Sequence, residues 1–329
     1  MSVFRKRLGP SFLLLFSLGA LVLSPFVGLS MTWPIRDLLG GENLAAEIFW
    51  RIRVPRVFLG FITGAALGGA GVVFQAIFRN PLASPYTFGV ASAAAFGAAL
   101  SIVLGFSGSV FGLYGVTVGG LFGALFVATV ICCVAFGSSS SNYMLLAGVA
   151  FSFFFSSLLL FVQYLSNFTE SFRIVRWLMG GLEVTDYSGV MTLAPFVLFG
   201  LLFIYLRRDE LDVILTGDEL AYSRGVEVER VRMQLFFGTS IMVGAVVSFT
   251  GPIGFVGVMV PHFCRILLGP SHRLLVPYSI LSSGSFLICC DALARVIVQP
   301  ADLPVGIITS LLGGPFFIWV LLRRREEVF

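Results

Sequence analysis

Residues 189–250 read GVMTLAPFVLFGLLFIYLRRDELDVILTGDELAYSRGVEVERVRMQLFFGTSIMVGAVVSFT. Each end of this stretch is apolar for 18 residues (189–206 and 233–250), within the range of about 17–25 that a membrane-crossing helix needs. Between them, from Leu206 to Val231, eleven of 26 residues are charged, although only 12% of the whole chain is. A soluble domain carries about 25% charged residues. Here charge is withheld from long runs and gathered into short ones, the pattern of a chain that crosses lipid repeatedly. With 57% hydrophobic and 14% aromatic residues and a mean hydropathy of +0.98, the fold class is an all-α polytopic membrane protein. A membrane-spanning β-barrel would show alternating segments of about ten residues, and none are present in the sequence.

Working outward, apolar segments fall at 8–31, 57–78, 89–106, 113–136, 143–165, 189–206, 233–250, 252–268, 274–297 and 304–322. They predict ten transmembrane helices, the shortest opening with GPIGFVG. An even number of crossings puts both termini on one side. The basic FRKR before the first helix and Arg323–Arg325 after the last place that side in the cytoplasm. The charged insert falls there too, as do Arg79 and His272-Arg273, so 14 of 21 basic residues are inside. Seven arginines remain outside: Arg36, Arg51, Arg53, Arg56, Arg173, Arg176 and Arg295. That cluster runs against the positive-inside preference and requires a reason. No soluble domain, low-complexity tract or internal repeat stands out. Residues 1–329 read as one integral domain with a cytoplasmic loop at 207–232.

Several chemistries are excluded by composition. The only lysine is Lys6, and a Walker A loop ends in Lys followed by Ser or Thr, so any ATPase must be another polypeptide. Gly251, Gly254 and Gly257 superficially resemble a phosphate loop; amid apolar residues they predict a tight lead-in to a short helix. Cys132, Cys133, Cys264, Cys289 and Cys290 lie in or beside apolar runs without metal-ligand spacing. Two histidines, His262 and His272, are too few for a histidine-rich site, and His262 after Pro261 reads as a hydrogen-bonded structural residue. No metal, cofactor or nucleic-acid partner is expected, nor the clustered His, Asp or Cys of a membrane-embedded enzyme. The apolar part of residues 1–31 exceeds a signal peptide's and no A-x-A-like site follows. It reads as a retained first helix.

Inside the charged insert, Leu211, Ile214 and Leu215 recur at helical spacing. Thr216-Gly217-Asp218-Glu219 follows, then Leu220-Ala221 and a break at Gly225. This predicts a short helix, a tight turn and a second short helix whose acidic first turn suits its N-terminal dipole. Apolar side chains on a charged loop need cover, which a cytoplasmic partner would supply. In the second apolar segment Gly60, Gly64 and Gly68 recur every four residues with Gly71 nearby, a spacing that lets helix backbones approach. Asn80-Pro81 should end that helix. Asp291 is costly alone in lipid, and Arg295 lies four residues on, on the same face. The two are expected to pair, which makes Asp291 structural rather than proton-carrying.

The segment LDVILTGDELAYSRGV (211–226) resembles the cytoplasmic coupling loop of the FecCD-type permeases. These are the membrane subunits of binding-protein-dependent ABC importers for iron chelates, haem and vitamin B12. RIRVPRVFLGFITGAALGGAGVVFQAIFRNPLASPYTFGV (51–90), GPIGFVGVMVPHFCR (251–265) and DALARVIVQPADLPVGIITSLLGGPFFIW (291–319) resemble the family's other blocks in the right order, so the likeness runs from about residue 50 to the C-terminus. Three positions depart from the pattern: Ser84 stands where an acidic residue is common, Arg224 where an aliphatic one is, and Gly314 where alanine is.

The resemblance implies a type II ABC importer permease fold in a bacterial inner membrane, surrounded by lipid. It implies a homodimer, or a heterodimer with a sister permease. Two ABC ATPase subunits would dock on the 207–232 loops, through positions matching Leu211, Leu215, Gly217, Asp218, Glu219, Ala221, Arg224 and Gly225. A periplasmic substrate-binding protein would sit on the outer face. In this family, permease arginines meet glutamates of that protein, and the matching positions are Arg53, Arg56 and Arg295, three of the seven already marked as misplaced. The family's fifth and tenth helices face the dimer axis. That makes Ser152, Ser156 and Gln163 the expected lining of a mostly apolar pathway. The implied cargo is an iron chelate, siderophore-bound or haem, with vitamin B12 as the alternative. An ion-coupled secondary transporter is the reading outside the class, and it normally needs embedded carboxylates. Asp291, with a partner nearby, serves that poorly.

Overall fold

The computed structural model describes residues 2–28, 44–106, 108–110, 113–135, 141–183, 186–298 and 302–326. Helix α1 spans Ser2–Leu23; α2 (Leu44–Ile48) passes through a π-helical turn, Phe49–Arg53, into α3 (Val54–Ile77). Then come α4 (Val90–Val103), α5 (Gly115–Ala135), α6 (Ser141–Leu165), the short α7 (Phe168–Leu178) and α8 (Ser188–Leu206). Two short helices, α9 (Arg208–Leu215) and α10 (Asp218–Ser223), lead into α11 (Val228–Thr250), α12 (Val256–Leu268), α13 (His272–Ile297) and α14 (Val305–Glu326). Among the described residues seven spans, α1, α2–α3, α5, α6, α8, α11 and α13, are long and apolar enough to cross a membrane; α4, α12 and α14 are shorter apolar helices. These ten coincide with the ten apolar segments of the sequence.

Burial ranks the spans. In the most apolar 18 residues of each span, 83% of positions are buried in α2–α3, against 17% in α6 and in α8. Helix α3 can occupy the centre because its glycines admit neighbouring backbones. A Cβ at Gly64 or Gly68 would run into Ser283 of α13, and one at Gly71 into the carbonyl oxygen of Gly257 in α12. The opposite side of α3 faces α8 and α11, and α5 packs against both α4 and α11. Near the end of α3, Phe74, Phe78, Phe88 and Phe236 form an aromatic cluster with ring centres 4.1–6.3 Å apart. It ties α3 to α11 through the turn that precedes α4.

The glycine run at 251–257 is the predicted lead-in. Gly251 has φ +66 and Phe255 φ +67, and α12 starts at the next residue. A bulky residue with positive φ is uncommon. Here the Phe255 ring lies against Gly313 of α14 and 6.2 Å from the Phe317 ring, so packing holds the conformation. Helix α7 was not anticipated. Asn167 Oδ1 accepts from the Glu170 amide (2.9 Å) and Glu170 Oε2 from the Asn167 amide (3.1 Å), a reciprocal cap that starts a helix. Ile174 anchors it against Ala99, Ile102 and Val162.

Candidate functional site

Two polar clusters mark opposite ends of α3. At its C-terminal end Arg79 takes a left-handed conformation (φ +46), and Asn80 Oδ1 accepts from the Leu82 amide at 2.9 Å. The Arg79 guanidinium donates to the Ile214 carbonyl from Nε (3.0 Å) and Nη2 (2.8 Å), and to the Asp218 carboxylate. A cation thus caps the last turn of α9, where helix carbonyls lack partners. Asp218, at the start of α10, also lies 3.2 Å from Arg232 Nη2, while Arg232 Nε donates to the Ile77 carbonyl at 3.2 Å. Asp212 of α9 accepts from the His272 amide (2.9 Å), lies 2.6 Å from His272 Nδ1, and takes the Ser271 hydroxyl at 3.4 Å. A carboxylate from one helix therefore caps the N-terminus of another, α13. The predicted helix–turn–helix exists, and it is fastened to α3, α11 and α13.

The fastening changes which residues face outward. Leu211, Ile214 and Ala221 are fully buried, so the chain itself gives them the cover that the sequence reading assigned to a partner. Leu215, Glu219, Arg224 and Gly225 are exposed, with Gly217 and Asp218 half-buried. Leu220 and Tyr222 are exposed as well, and neither is among the coupling positions that the sequence suggested. Their signal was there: each flanks Ala221, and neighbours lie about 100° round a helix, so a buried Ala221 leaves both off the buried face. Gly217 holds φ +117, which favours glycine in the turn between α9 and α10.

At the other end, Arg56 lies with Nη2 2.9 Å from Asp291 Oδ1 and Nη1 2.6 Å from Asp302 Oδ2. Arg295 Nε is 3.1 Å from Asp291 Oδ2. Its Nη1 donates to the Val27 carbonyl (2.8 Å), and its Nη2 to the Ser24 carbonyl (3.1 Å) and hydroxyl (3.3 Å). Arg53 Nη1 donates to the Pro25 carbonyl at 3.3 Å. Asp291, 1% exposed, thus sits between two guanidinium groups, and only the Arg295 contact was visible in the sequence. Arg53 and Arg295 take up carbonyls just beyond α1, a favourable place for cations. Three of the seven arginines that break the positive-inside pattern thereby have a local reason. Arg295, at 7% side-chain exposure, faces inward in this conformation. Exposed charges among the described residues on this side include Asp302, the Arg51–Glu47 pair (3.2 Å) and the Arg176–Glu183 pair (2.9 Å).

The three expected lining residues share a spacing of four and seven on α6, hence one face. Ser152 is half-buried with Oγ donating to the Gly148 carbonyl at 2.9 Å; Ser156 is exposed and Gln163 half-buried. Around them α6 exposes Phe153, Phe154, Leu160, Phe161 and Tyr164.

With this geometry in hand, the chain can be set beside known proteins. Residues 12–323 match the model of the FecCD transport family. The hemin transport system permease protein HmuU of Yersinia pestis is 36% identical over 283 residues, covering 85% of each chain. The cobalamin import system permease protein BtuC of Halobacterium salinarum is 37% identical over 321 residues, 92% of this chain and 82% of that one. The Fe(3+)-citrate import system permease protein YfmD of Bacillus subtilis is 30% identical over 335 residues, 98% of both. Among solved structures, an inward-facing conformation of an ABC transporter described as of metal-chelate type aligns with a TM-score of 0.84. That alignment has 28% identity and covers 95% of this chain and 99% of that one. The arrangement of ten membrane helices is therefore the type II ABC importer permease fold. Matched along almost its entire length in sequence and along 95% of it in structure, the chain belongs to the FecCD transport family, the permease subunits of ABC importers.

Proposed function

We propose that this permease moves an iron chelate, a siderophore complex or haem, from a periplasmic binding protein to the cytoplasm of a bacterium. Two copies, or this chain and a sister permease, enclose the pathway, and ATP is hydrolysed on two separate subunits. Both termini and the 207–232 loop lie in the cytoplasm, where most of the basic residues fall. The observation that carries the reading is the α9–α10 unit. It is tied by Asp212 and Asp218 to three membrane helices and presents Leu215, Leu220 and Tyr222 outward. A short amphipathic unit held rigidly and left apolar on its outer side supports a socket for an ATPase. Leu215, Glu219, Leu220, Tyr222, Arg224 and Gly225 would form its surface; Leu211, Gly217, Asp218 and Ala221 would hold that surface in place. On the periplasmic side Arg53 and Arg56 receive the binding protein, with Arg295 acting through the Asp291 that it shares with Arg56. Ser152, Ser156 and Gln163 would line the pathway.

The test is co-purification. The tagged chain, extracted in mild detergent from its native membrane, should bring down an ABC ATPase in stoichiometric amount. Leu220→Ser combined with Tyr222→Ser should release that subunit while the permease stays folded, because both side chains are exposed. Retention of the ATPase by the double variant would move the socket elsewhere. A cobalamin cargo is the second reading, favoured by the 37% identity to the Halobacterium protein, which matches the 36% to HmuU. Uptake of labelled ferric siderophore, haem and cobalamin by proteoliposomes carrying the complete complex separates the two.

A further inference from the structure

A groove of about 310 Å³ runs between α8 and α11. Phe196, Phe199 and Phe203 form one wall; Gly238, Ile241 and Met242 form the other. Both helices are long and apolar enough to cross a membrane, and every lining side chain is apolar, a lining that suits a hydrocarbon chain. One feature at its end is not apolar. The face of α8 that carries Phe199 and Phe203 continues to Arg207, whose guanidinium carbon lies 5.8 Å from the centre of the Phe203 ring. Arg207 Nη1 donates to both oxygens of Glu210, at 2.9 and 3.1 Å. Each of the two side chains is about one-third exposed. An apolar slot therefore terminates in a cation and an anion side by side.

We propose that this groove retains one acyl chain of a phospholipid with an ethanolamine headgroup, its phosphate on Arg207 and its primary ammonium on Glu210. A guanidinium has five N–H donors, and one nitrogen serves Glu210, so the same group can hold a phosphate at its other edge, a geometry arginine favours. Glu210 supplies the discrimination. A primary ammonium donates hydrogen bonds to a carboxylate; a choline headgroup has no N–H to give, and a glycerol headgroup has no positive charge. Arg207 is where α8 ends and α9 begins, so the headgroup rests on the first turn of the unit that Asp212 and Asp218 tie down. This site depends on α8, α11 and the start of α9, not on the cargo.

Native mass spectrometry tests it. The complete complex, purified in mild detergent, is offered equal amounts of phosphatidylethanolamine, phosphatidylglycerol and phosphatidylcholine. One phosphatidylethanolamine per chain should be retained about tenfold over the other two, the effect of one charge-assisted hydrogen bond. Glu210→Gln should bring ethanolamine and choline lipids level, and Ile241→Trp, which fills the groove, should remove the retained lipid. Should Ile241→Trp fail to assemble, the ethanolamine-to-choline ratio in Glu210→Gln decides alone. Equal retention of the three lipids by the unaltered protein overturns the proposal. So does undiminished ethanolamine lipid in an assembled Ile241→Trp. Loss of permease pairing in Ile241→Trp with lipid unchanged also overturns it, and gives the groove to a second copy of the chain.

Discussion

Asp291 and Asp302 share one guanidinium, Arg56, but at very different depths: 1% against 48% side-chain exposure. Removing the charge of Asp291 leaves the buried Arg295 facing the half-buried Arg56 with no anion between them, which costs about 3–5 kcal/mol, whereas a half-exposed pair is worth about 1 kcal/mol or less. Asp291→Asn should therefore lower the thermal midpoint of the detergent-solubilised protein far more than Asp302→Asn; equal shifts would refute the buried cluster. Glycines give a second contrast. Gly71→Ala drives a methyl into the Gly257 carbonyl and should destabilise by about 1–3 kcal/mol. At Gly314, inside α14, nothing lies within 4 Å of an added Cβ, and alanine's helix propensity should stabilise by up to about 1 kcal/mol. Thermal unfolding of the two variants checks the signs. The sequence disclosed half of the Asp291 cluster, because an i, i+4 neighbour is read from helical geometry alone. Arg56 stands 235 positions away, and only the packing of α3 on α13 brings it in.

Helices α9 and α10 are held by side chains rather than by length, so one atom can loosen them. Asp218→Asn keeps the shape and removes the charge that Arg79 and Arg232 share. Amide exchange in α10 should quicken roughly tenfold, the equivalent of one lost charge-assisted bond, while the membrane spans stay protected. In the assembled complex, import should fall more than ATP hydrolysis. Equal losses would mean that Asp218 supports assembly instead of transmission. The ten apolar helices were legible because apolar length is a property of composition, α9 because Leu211, Ile214 and Leu215 repeat at helical spacing, and α10 because an acidic first turn follows Gly217. What covers that repeat was not legible, since periodicity identifies a face without its neighbour. Helix α7 escaped for the opposite reason: eleven residues with Glu170, Arg173 and Arg176 among them cannot span lipid. Its sign, Asn167 three residues before Glu170, lay outside the hydropathy pattern.

Across the molecule, burial separates an inner group of helices from an outer one, and orientation follows from charge. A cysteine replacing Tyr222 should react with a membrane-impermeant maleimide only in inside-out vesicles, in a background lacking the five native cysteines. Labelling in right-side-out vesicles would invert the topology and exchange the two partner faces. The contact between Gly71 and Gly257 has one more consequence. Helix α3 has 24 residues, about 36 Å at 1.5 Å per residue, with Arg56 at one tip and Arg79 just past the other. Sliding by one turn along α12 would bring Leu67 or Gln75, each with a Cβ, against the Gly257 carbonyl that Gly71 admits. A tilt about that contact meets no such obstacle: Arg56 lies 15 residues from Gly71, about 22 Å, so a turn of about 5° carries it sideways by roughly 2 Å. A push at Arg79 would then reach Arg56 as a swing, wide enough to part or remake a hydrogen bond at the opposite end of the helix.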